Sequence, residues 1–300
     1  MKVALLGATS KTGRYVVAML CERGHAVVAI GRDPAKLDTL DRRARTLRAD
    51  ITDTASLRAA LDGAECVASL AHARHTADIL AALPATCRRV VLTGSVRKFT
   101  QLPDPAADAV RAGEALLLAS ARAGVMLHPS MIYGAPEERN INRVLALLAR
   151  FPAWLPVPVP LPDGGRHTVQ PVFFEDMVAA MVASVERPEA EGPPIIVAGP
   201  RAITYREMVE RCATAVGRRV VIVPLPLSFL KSGLDFVARL GIGLPFTSQE
   251  LIRATENKSF DVSALEQRLG VRPRPFEVGL AAVMARRAAA RKLDARRGAD

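Results

Sequence analysis

Aromatic residues make up only 4% of the 300-residue sequence, with one tryptophan and three tyrosines. The core must therefore be built mainly from Ala, Val and Leu, and stacking platforms for nucleic acid bases are missing. Cysteine is scarce too. Cys21, Cys66, Cys87 and Cys212 show no CxxC or CxxH spacing, so they carry no disulfide or metal signal and suit a reducing compartment. No long uninterrupted apolar run is present. The best, Val220 to Phe246, is broken by Pro224, Pro226, Lys231, Asp235 and Arg239 and does not read as a spanning helix. Internal repeats and low-complexity linkers are also lacking. A strand pattern that begins at residue 2 leaves no room for a signal or transit peptide. The expected location is cytoplasmic, at most peripheral to the inner face of a membrane.

Half the residues are hydrophobic and 24% are charged, which fits a soluble globular chain. The formal net charge is +11, and a basic block closes the sequence over residues 286–300: Arg286, Arg287, Arg291, Lys292, Arg296 and Arg297. Such a tail reads either as a solubilising helix end or as a docking element for a protein complex, an anionic lipid surface or RNA. RNA is the least supported, because no recognition motif accompanies the charge.

β-rich runs at Lys2–Leu6, Ala26–Ile30, Arg45–Ala49, Cys66–Leu70, Arg89–Thr93 and Val125–Leu127 alternate with helical stretches. The helical patterns are Thr12–Arg23, Thr54–Leu61, Thr76–Leu83 and Ala106–Ala123. This alternation predicts an α/β fold, a Rossmann-like doubly wound parallel sheet with helices on both faces. After Gly134 the texture changes to a smaller C-terminal α/β lobe. A helix at Ile141–Arg150 precedes a proline-rich stretch, Pro152 to Pro162, expected to be an irregular loop. A strand at Thr168–Val172 and a helix at Glu175–Glu186 are expected to return to the first part. A strand at Pro194–Ala198, a helix at Tyr205–Val216 with a Thr204-x-x-Glu207 capping box, and a strand at Val220–Val223 follow. Residues 1–134 thus form the core and 135–300 a lobe interwoven with it. Leu227, Leu230, Leu234, Val237 and Leu240 recur at near-helical spacing, as a stripe that packs inward or faces a partner or a bilayer surface.

The opening run Lys2-Val-Ala-Leu-Leu-Gly7-Ala-Thr9-Ser10-Lys11-Thr12-Gly13 places a buried strand directly before a glycine turn and a helix. Gly7 permits the tight turn and Gly13 the close approach of helix to sheet. The N–H groups between them, from Thr9 to Thr12, can cradle a pyrophosphate. Ser10 stands where such loops usually carry a middle glycine. At the end of the second strand, a site selective for NAD places an acid for the ribose hydroxyls. Here Gly31 is followed by Arg32, with Lys36 one turn on, and both suit the 2′-phosphate of NADP(H). NAD(H) stays open through Asp33, which also reads as the cap of a helix opened by Pro34.

These segments resemble the short-chain dehydrogenase/reductase superfamily, in its extended or atypical branch. Gly24–Asp33 looks like its second strand, Ala49–Asp53 its adenine-edge segment, Leu127–Gly134 its sixth-strand signature and Gln170–Asp176 its lobe junction. Thr204–Glu207 and Val223–Pro226 are similar to the branch holding the NADPH-binding accessory subunit of respiratory complex I. The resemblance implies cofactor contacts at Asp50, Ile51, Leu70, Ala71, Thr93 and Pro129 as well.

Active members of that superfamily pair a proton-donating tyrosine with a lysine four residues later, which lowers the phenol's pKa. The three tyrosines are followed at that offset by Met19, Glu137 and Val209. Counted back from Glu114, the pair's positions hold Ala106 and Val110, and neither can move a proton. Ser95 stands where the family keeps its catalytic serine, and Lys98 can supply a cation. Each also has a plain alternative, Ser95 as a turn cap and Lys98 as a solvated side chain. His72 and His75 follow the fourth strand, where they can reach the nicotinamide or simply open a helix. His128 replaces an arginine that often grips a substrate phosphate. Two functions follow: a cofactor-binding accessory or redox-sensing protein with little turnover, or an atypical reductase of quinone-like or other small carbonyl substrates. No metal site is expected.

Overall fold

The structure, a computed structural model, describes residues 1–239 and 247–297. Leu240, residues 298–300 and the side chains of Val237, Arg291, Lys292, Arg296 and Arg297 lie outside what is described. In chain order, β1 (Lys2–Leu6), α1 (Gly13–Glu22), β2 (Ala26–Gly31), α2 (Pro34–Leu37), β3 (Arg45–Arg48), α3 (Thr54–Leu61) and β4 (Cys66–Ser69) open the fold. Then come α4 (Thr76–Ala82), β5 (Arg89–Thr93), α5 (Pro105–Ala119), β6 (Gly124–Pro129), β7 (Ile132–Tyr133) and α6 (Asn140–Ala149). The third stretch holds β8 (Val157–Pro162), β9 (Thr168–Val169), β10 (Val172–Phe173), α7 (Phe174–Glu186) and β11 (Ile195–Val197). Last are β12 (Ile203–Thr204), α8 (Tyr205–Ala215), β13 (Val220–Leu225), α9 (Leu227–Arg239), α10 (Ser248–Arg253), α11 (Ser263–Leu269) and α12 (Phe276–Arg297).

The chain divides into two compact units. The first comprises residues 1–130, 174–198 and 261–273. Its seven strands lie in the order β11-β6-β5-β4-β1-β2-β3, all parallel. Strands such as Val3–Leu6 and Val27–Ile30 are apolar throughout because helices cover both faces. Leu57 and Leu61 of α3, Ile79 of α4, and Val110 and Leu117 of α5 pack over Leu6, Ile30 and Met126 on one face. On the other, α7 buries ten of its thirteen residues and packs with α1 against β4, β5 and β6. The strand order reverses between β1 and β4, so their carboxyl ends flank the crevice where ligands of such sheets bind.

Helix α5 stops at Ala119, short of the expected Ala123. Ala121 takes a left-handed backbone (φ 51°), and Gly124 already belongs to β6. A Cβ on Gly124 would lie 2.4 Å from the Val90 carbonyl, so the strand begins at a residue that only glycine can fill.

The second unit comprises residues 131–173, 199–260 and 274–300. The proline-rich stretch corrects the expected loop, since Val157–Pro162 forms β8, which pairs in parallel with β13. The prolines fall at alternate positions, Pro158, Pro160 and Pro162. Strand N–H groups alternate in direction, and the N–H of Val157 donates to Arg219 O at 2.9 Å. The missing N–H groups therefore fall on the unpaired edge, the one place where a strand tolerates them. The expected strand at Thr168–Val172 is two short pieces instead, β9 antiparallel to β12 and β10 parallel to β7. Helix α8 opens with its capping box complete: Thr204 Oγ1 accepts from Glu207 N at 3.0 Å, and Glu207 accepts from Thr204 N at 2.7 Å. Among the described residues, no helix is long and apolar enough to cross a membrane.

Candidate cofactor crevice

The glycine loop lies between β1 and α1 in the first unit. Gly7 takes φ +73°, and a Cβ on it would stand 3.4 Å from the backbone of Leu70 and Ala71, so these residues border the turn. Gly13 is the tighter of the two: a Cβ there would meet Gly7 O at 2.4 Å and Ala8 O at 2.7 Å. Ser10, the residue that departs from the usual glycine, has a local duty. Its hydroxyl accepts from Gly13 N at 3.0 Å and its own N–H donates to Gly7 O at 3.0 Å, which closes the loop on itself. Among the described residues, no acceptor meets the N–H groups of Thr9, Lys11 and Thr12. Three unpartnered donors beside the start of a ten-residue helix suit an anionic group such as a pyrophosphate.

At the end of β2, Thr9 lies beside Gly31, and Arg32 follows with its side chain exposed. Asp33 is engaged by its own helix. Its carboxylate accepts from Lys36 N at 3.4 Å and lies 3.6 Å from Lys36 Nζ. Arg48, which the sequence reasoning passed over, is exposed and in register with Gly31, one residue from Arg32. Asp50 accepts from the Thr52 N–H at 3.0 Å and its hydroxyl at 2.8 Å. These bonds, with the nearby Arg32 and His75, hold its carboxyl below the usual range. Ile51 is half-buried against the core.

Thr93, at the end of β5, donates to Ser69 O at 2.8 Å and so ties β5 to β4 beside the crevice. Pro129 ends β6 in register with Val197. Ser95 caps the 3₁₀ turn that follows β5, accepting from Arg97 N at 3.1 Å. His72 and His75 have similar local partners: His72 Nδ1 accepts from Arg74 N at 3.2 Å, and His75 lies 3.3 Å from Asp78.

Lys98 and His128 converge on one residue, Glu114. Lys98 Nζ reaches its two carboxylate oxygens at 2.7 and 2.5 Å, and His128 Nε2 lies 2.5 Å from Oε2. Lys98 is thus a largely covered ion-pair partner rather than a solvated side chain. His128 is 1% exposed, turned into the protein and not toward a substrate phosphate. Ser95 N–H donates to its Nδ1 at 3.0 Å, which assigns the ring proton to Nε2 and makes Glu114 the acceptor. Burial, and then the Lys98 cation, push the His128 pKa below its ordinary value against the pull of Glu114, so the ring is neutral near pH 7. Glu114 was visible in sequence only as a counting mark. Its signal was a carboxylate on an otherwise apolar face of α5.

Ala106, where counting from Glu114 expects the proton donor, is half-buried in the first turn of α5, and Val110, where it expects the lysine, is 2% exposed in the core. The tyrosines have other roles. Tyr15 stacks edge-on against Phe174. Tyr133 is fully buried in the second unit and donates to Phe276 O at 3.1 Å. Burial pushes the Tyr205 phenol up to about 12. Among the described residues, no group of three or more His, Cys, Asp and Glu side chains can hold a metal ion.

Residues 7–130 match a protein-family model described as NAD(P)H-binding. An uncharacterised protein of Mycobacterium tuberculosis is 28% identical over 238 residues, 76% of this chain but 24% of that protein. The chain thus spans about a quarter of the length of the first curated relatives it matches. A 3-diazoavenalumate denitrifying reductase from Streptomyces is 30% identical over 235 residues, 64% of this chain and 74% of the enzyme. Among solved structures, the NADPH-dependent quinone oxidoreductase QOR2 of Escherichia coli superposes with a TM-score of 0.72 at 20% identity. That match covers 93% of this chain and 98% of the other and shows a shared fold.

Proposed function

The chain belongs to the extended, atypical branch of the short-chain dehydrogenase/reductase superfamily, and we propose that it is an NADPH-dependent reductase whose acceptor needs no proton from the protein. One observation carries this reading. A buried Val110 and an Ala106 stand where counting from Glu114 expects the proton-donating pair, and Lys98 and His128 are bound to Glu114. The loop N–H groups of Thr9, Lys11 and Thr12 would hold the pyrophosphate, with Gly7 and Gly13 setting its approach. Asp50 and Ile51 would border the adenine, and Leu70, Ala71, Thr93 and Pro129 the rest of the crevice. When bound, the dinucleotide supplies a hydride.

The protein's part is then alignment and exclusion of water. A quinone can take its proton from solvent. A diazonium group replaced by hydride loses dinitrogen and takes up no proton at all. The likeness to a denitrifying reductase of a diazo compound favours acceptors of that second kind. NADP(H) is preferred over NAD(H) because Arg32 and Arg48 offer two exposed cations where a 2′-phosphate would lie, whereas Asp33 is occupied as a helix cap.

The test is NADPH consumption across quinones, simple carbonyls and arenediazonium salts. Turnover of the first or last without turnover of aldehydes supports the proposal, and a flat response to every acceptor overturns it. Arg32→Ala should weaken NADPH but not NADH. A lost charge-assisted contact of about 1.5–3 kcal/mol corresponds to a roughly ten- to hundredfold rise in Kd.

A second reading rests on the same vacant proton-donor positions. It is a cofactor-binding accessory or redox-sensing protein, similar to the complex I accessory branch, with little turnover. In that case NADPH raises the melting temperature and is not consumed.

A further inference from the structure

The excess positive charge is concentrated in the second unit. It carries twenty Lys and Arg against eleven Asp and Glu, so nine of the eleven net charges lie there. Within it, residues 139–162 and 211–234 contain no acidic residue in forty-eight positions, yet hold Arg139, Arg143, Arg150, Arg211, Arg218, Arg219 and Lys231. These two segments are joined by the β8–β13 ladder.

The same layer holds the three most exposed large apolar side chains among the described residues. Trp154, the sole tryptophan, is 75% exposed in the loop before β8, with Leu155 beside it. Phe229 (69%) and Phe236 (61%), seven residues apart and so on one face of α9, are turned outward, while Leu227, Leu230 and Leu234 are half-buried. Helix α9 packs against β8. Arginines surround the tryptophan loop. Arg218 donates to Phe151 O at 2.7 Å, exposed Arg150 precedes the loop, and Arg219, also exposed, accepts from Val157 N through its carbonyl.

We propose that this layer is a docking surface for an anionic lipid bilayer, with Trp154 at headgroup depth, Phe229 and Phe236 inserted and the arginines on lipid phosphates. A tryptophan beside guanidinium groups matches the interfacial preference of amphipathic aromatics. An amphipathic helix with outward phenylalanines lies in the interface rather than across it. The cationic excess of the layer, where Asp235 of α9 is paired with Lys231 at 2.9 Å, matches the sign of the surface it would meet. A site for an apolar protein partner would gain nothing from that bias.

The single tryptophan makes the experiment direct. The 300-residue chain is titrated with vesicles of phosphatidylcholine alone or mixed with phosphatidylglycerol, while Trp154 emission and co-flotation are recorded. The expected result is a blue shift and flotation with the anionic vesicles only, reversed by molar salt. Phe229→Ser and Phe236→Ser should weaken binding without changing the circular dichroism spectrum. Arg150→Glu and Arg219→Glu, surface changes that leave the ladder intact, should each lower partition by about tenfold. Equal binding to neutral vesicles or an unmoved emission spectrum overturns the proposal. So does a blue shift that grows with protein concentration in the absence of lipid, together with a dimer in sedimentation, because a second copy would then cover the face.

Discussion

Gly94 and His128 are fitted to each other: a Cβ on Gly94 would stand 2.4 Å from Nδ1 of the imidazole and 2.5 Å from its Cε1. The glycine at the end of β5 is thus the space in which the buried ring of β6 sits, and the next N–H, that of Ser95, bonds it. Gly94→Ala should push the ring off Glu114 and lower stability by about 1–3 kcal/mol. Thermal unfolding will read the loss. Gly94→Ala combined with His128→Ser should lose less than the sum of the two, because the clash disappears with the ring.

Glu114 holds a lysine and a histidine at once. Glu114→Gln keeps the shape but leaves the largely covered Lys98 ammonium without its counter-charge, for a loss of about 2 kcal/mol once partial exposure is allowed for. Adding Lys98→Met to Glu114→Gln should recover part of it. Denaturant midpoints of the two single variants and the double will show whether the terms couple.

The His128 pKa lies below its unfolded value near 6.5. As pH falls below about 6.5, the unfolded chain binds a proton that the folded chain refuses until its own lower pKa is reached. This contribution is therefore whole at neutral pH and is lost on acidification across that window. His128→Asn should flatten the slope of unfolding free energy against pH below about 6.5, measured by denaturant titration at a series of pH values.

Proline parity in β8 yields a paired test. Val159→Pro removes an N–H that faces β13 and should cost about 1–3 kcal/mol through the carbonyl left unpaired. Pro160→Ala restores an N–H on the outer edge, where solvent can meet it, and should change stability by about 0.5 kcal/mol or less. Chemical denaturation of both variants separates a real ladder from a loop.

Legibility followed physical range. β1, α3 and β5 could be read to the residue because apolar strand runs and capped helices are local signals. The Gly7–Gly13 loop was legible for the same reason, since strand, turn and helix are contiguous. Arg48 was missed because it reaches the end of β2 through strand register, at a separation in sequence that no local pattern records. Glu114 was missed as a hub because its two partners come from a turn after β5 and from the far end of β6. β8 was hidden by composition: five prolines suggest a loop unless their alternation is set against the direction of strand N–H groups. Three leucines of the α9 stripe, Leu227, Leu230 and Leu234, were legible, but the exposed phenylalanines on another face were not, because a pattern of leucines says nothing of the side it leaves bare.

The first unit is assembled from three separated stretches, and that has a temporal consequence. When a ribosome has released the segment that matches the dinucleotide-binding family, residues 7–130, the sheet has six of its strands but neither α7 nor β11. The ten buried residues of α7 are still to come, so the face of β4, β5 and β6 that they cover faces water until the chain has grown past residue 186. Arg268, which donates to the carbonyls of Glu189, Ala190, Glu191 and Pro193, fastens the α7–β11 connection later still. The nascent chain therefore carries one face of these strands uncovered until α7 is made, an exposed apolar surface of the kind that favours aggregation.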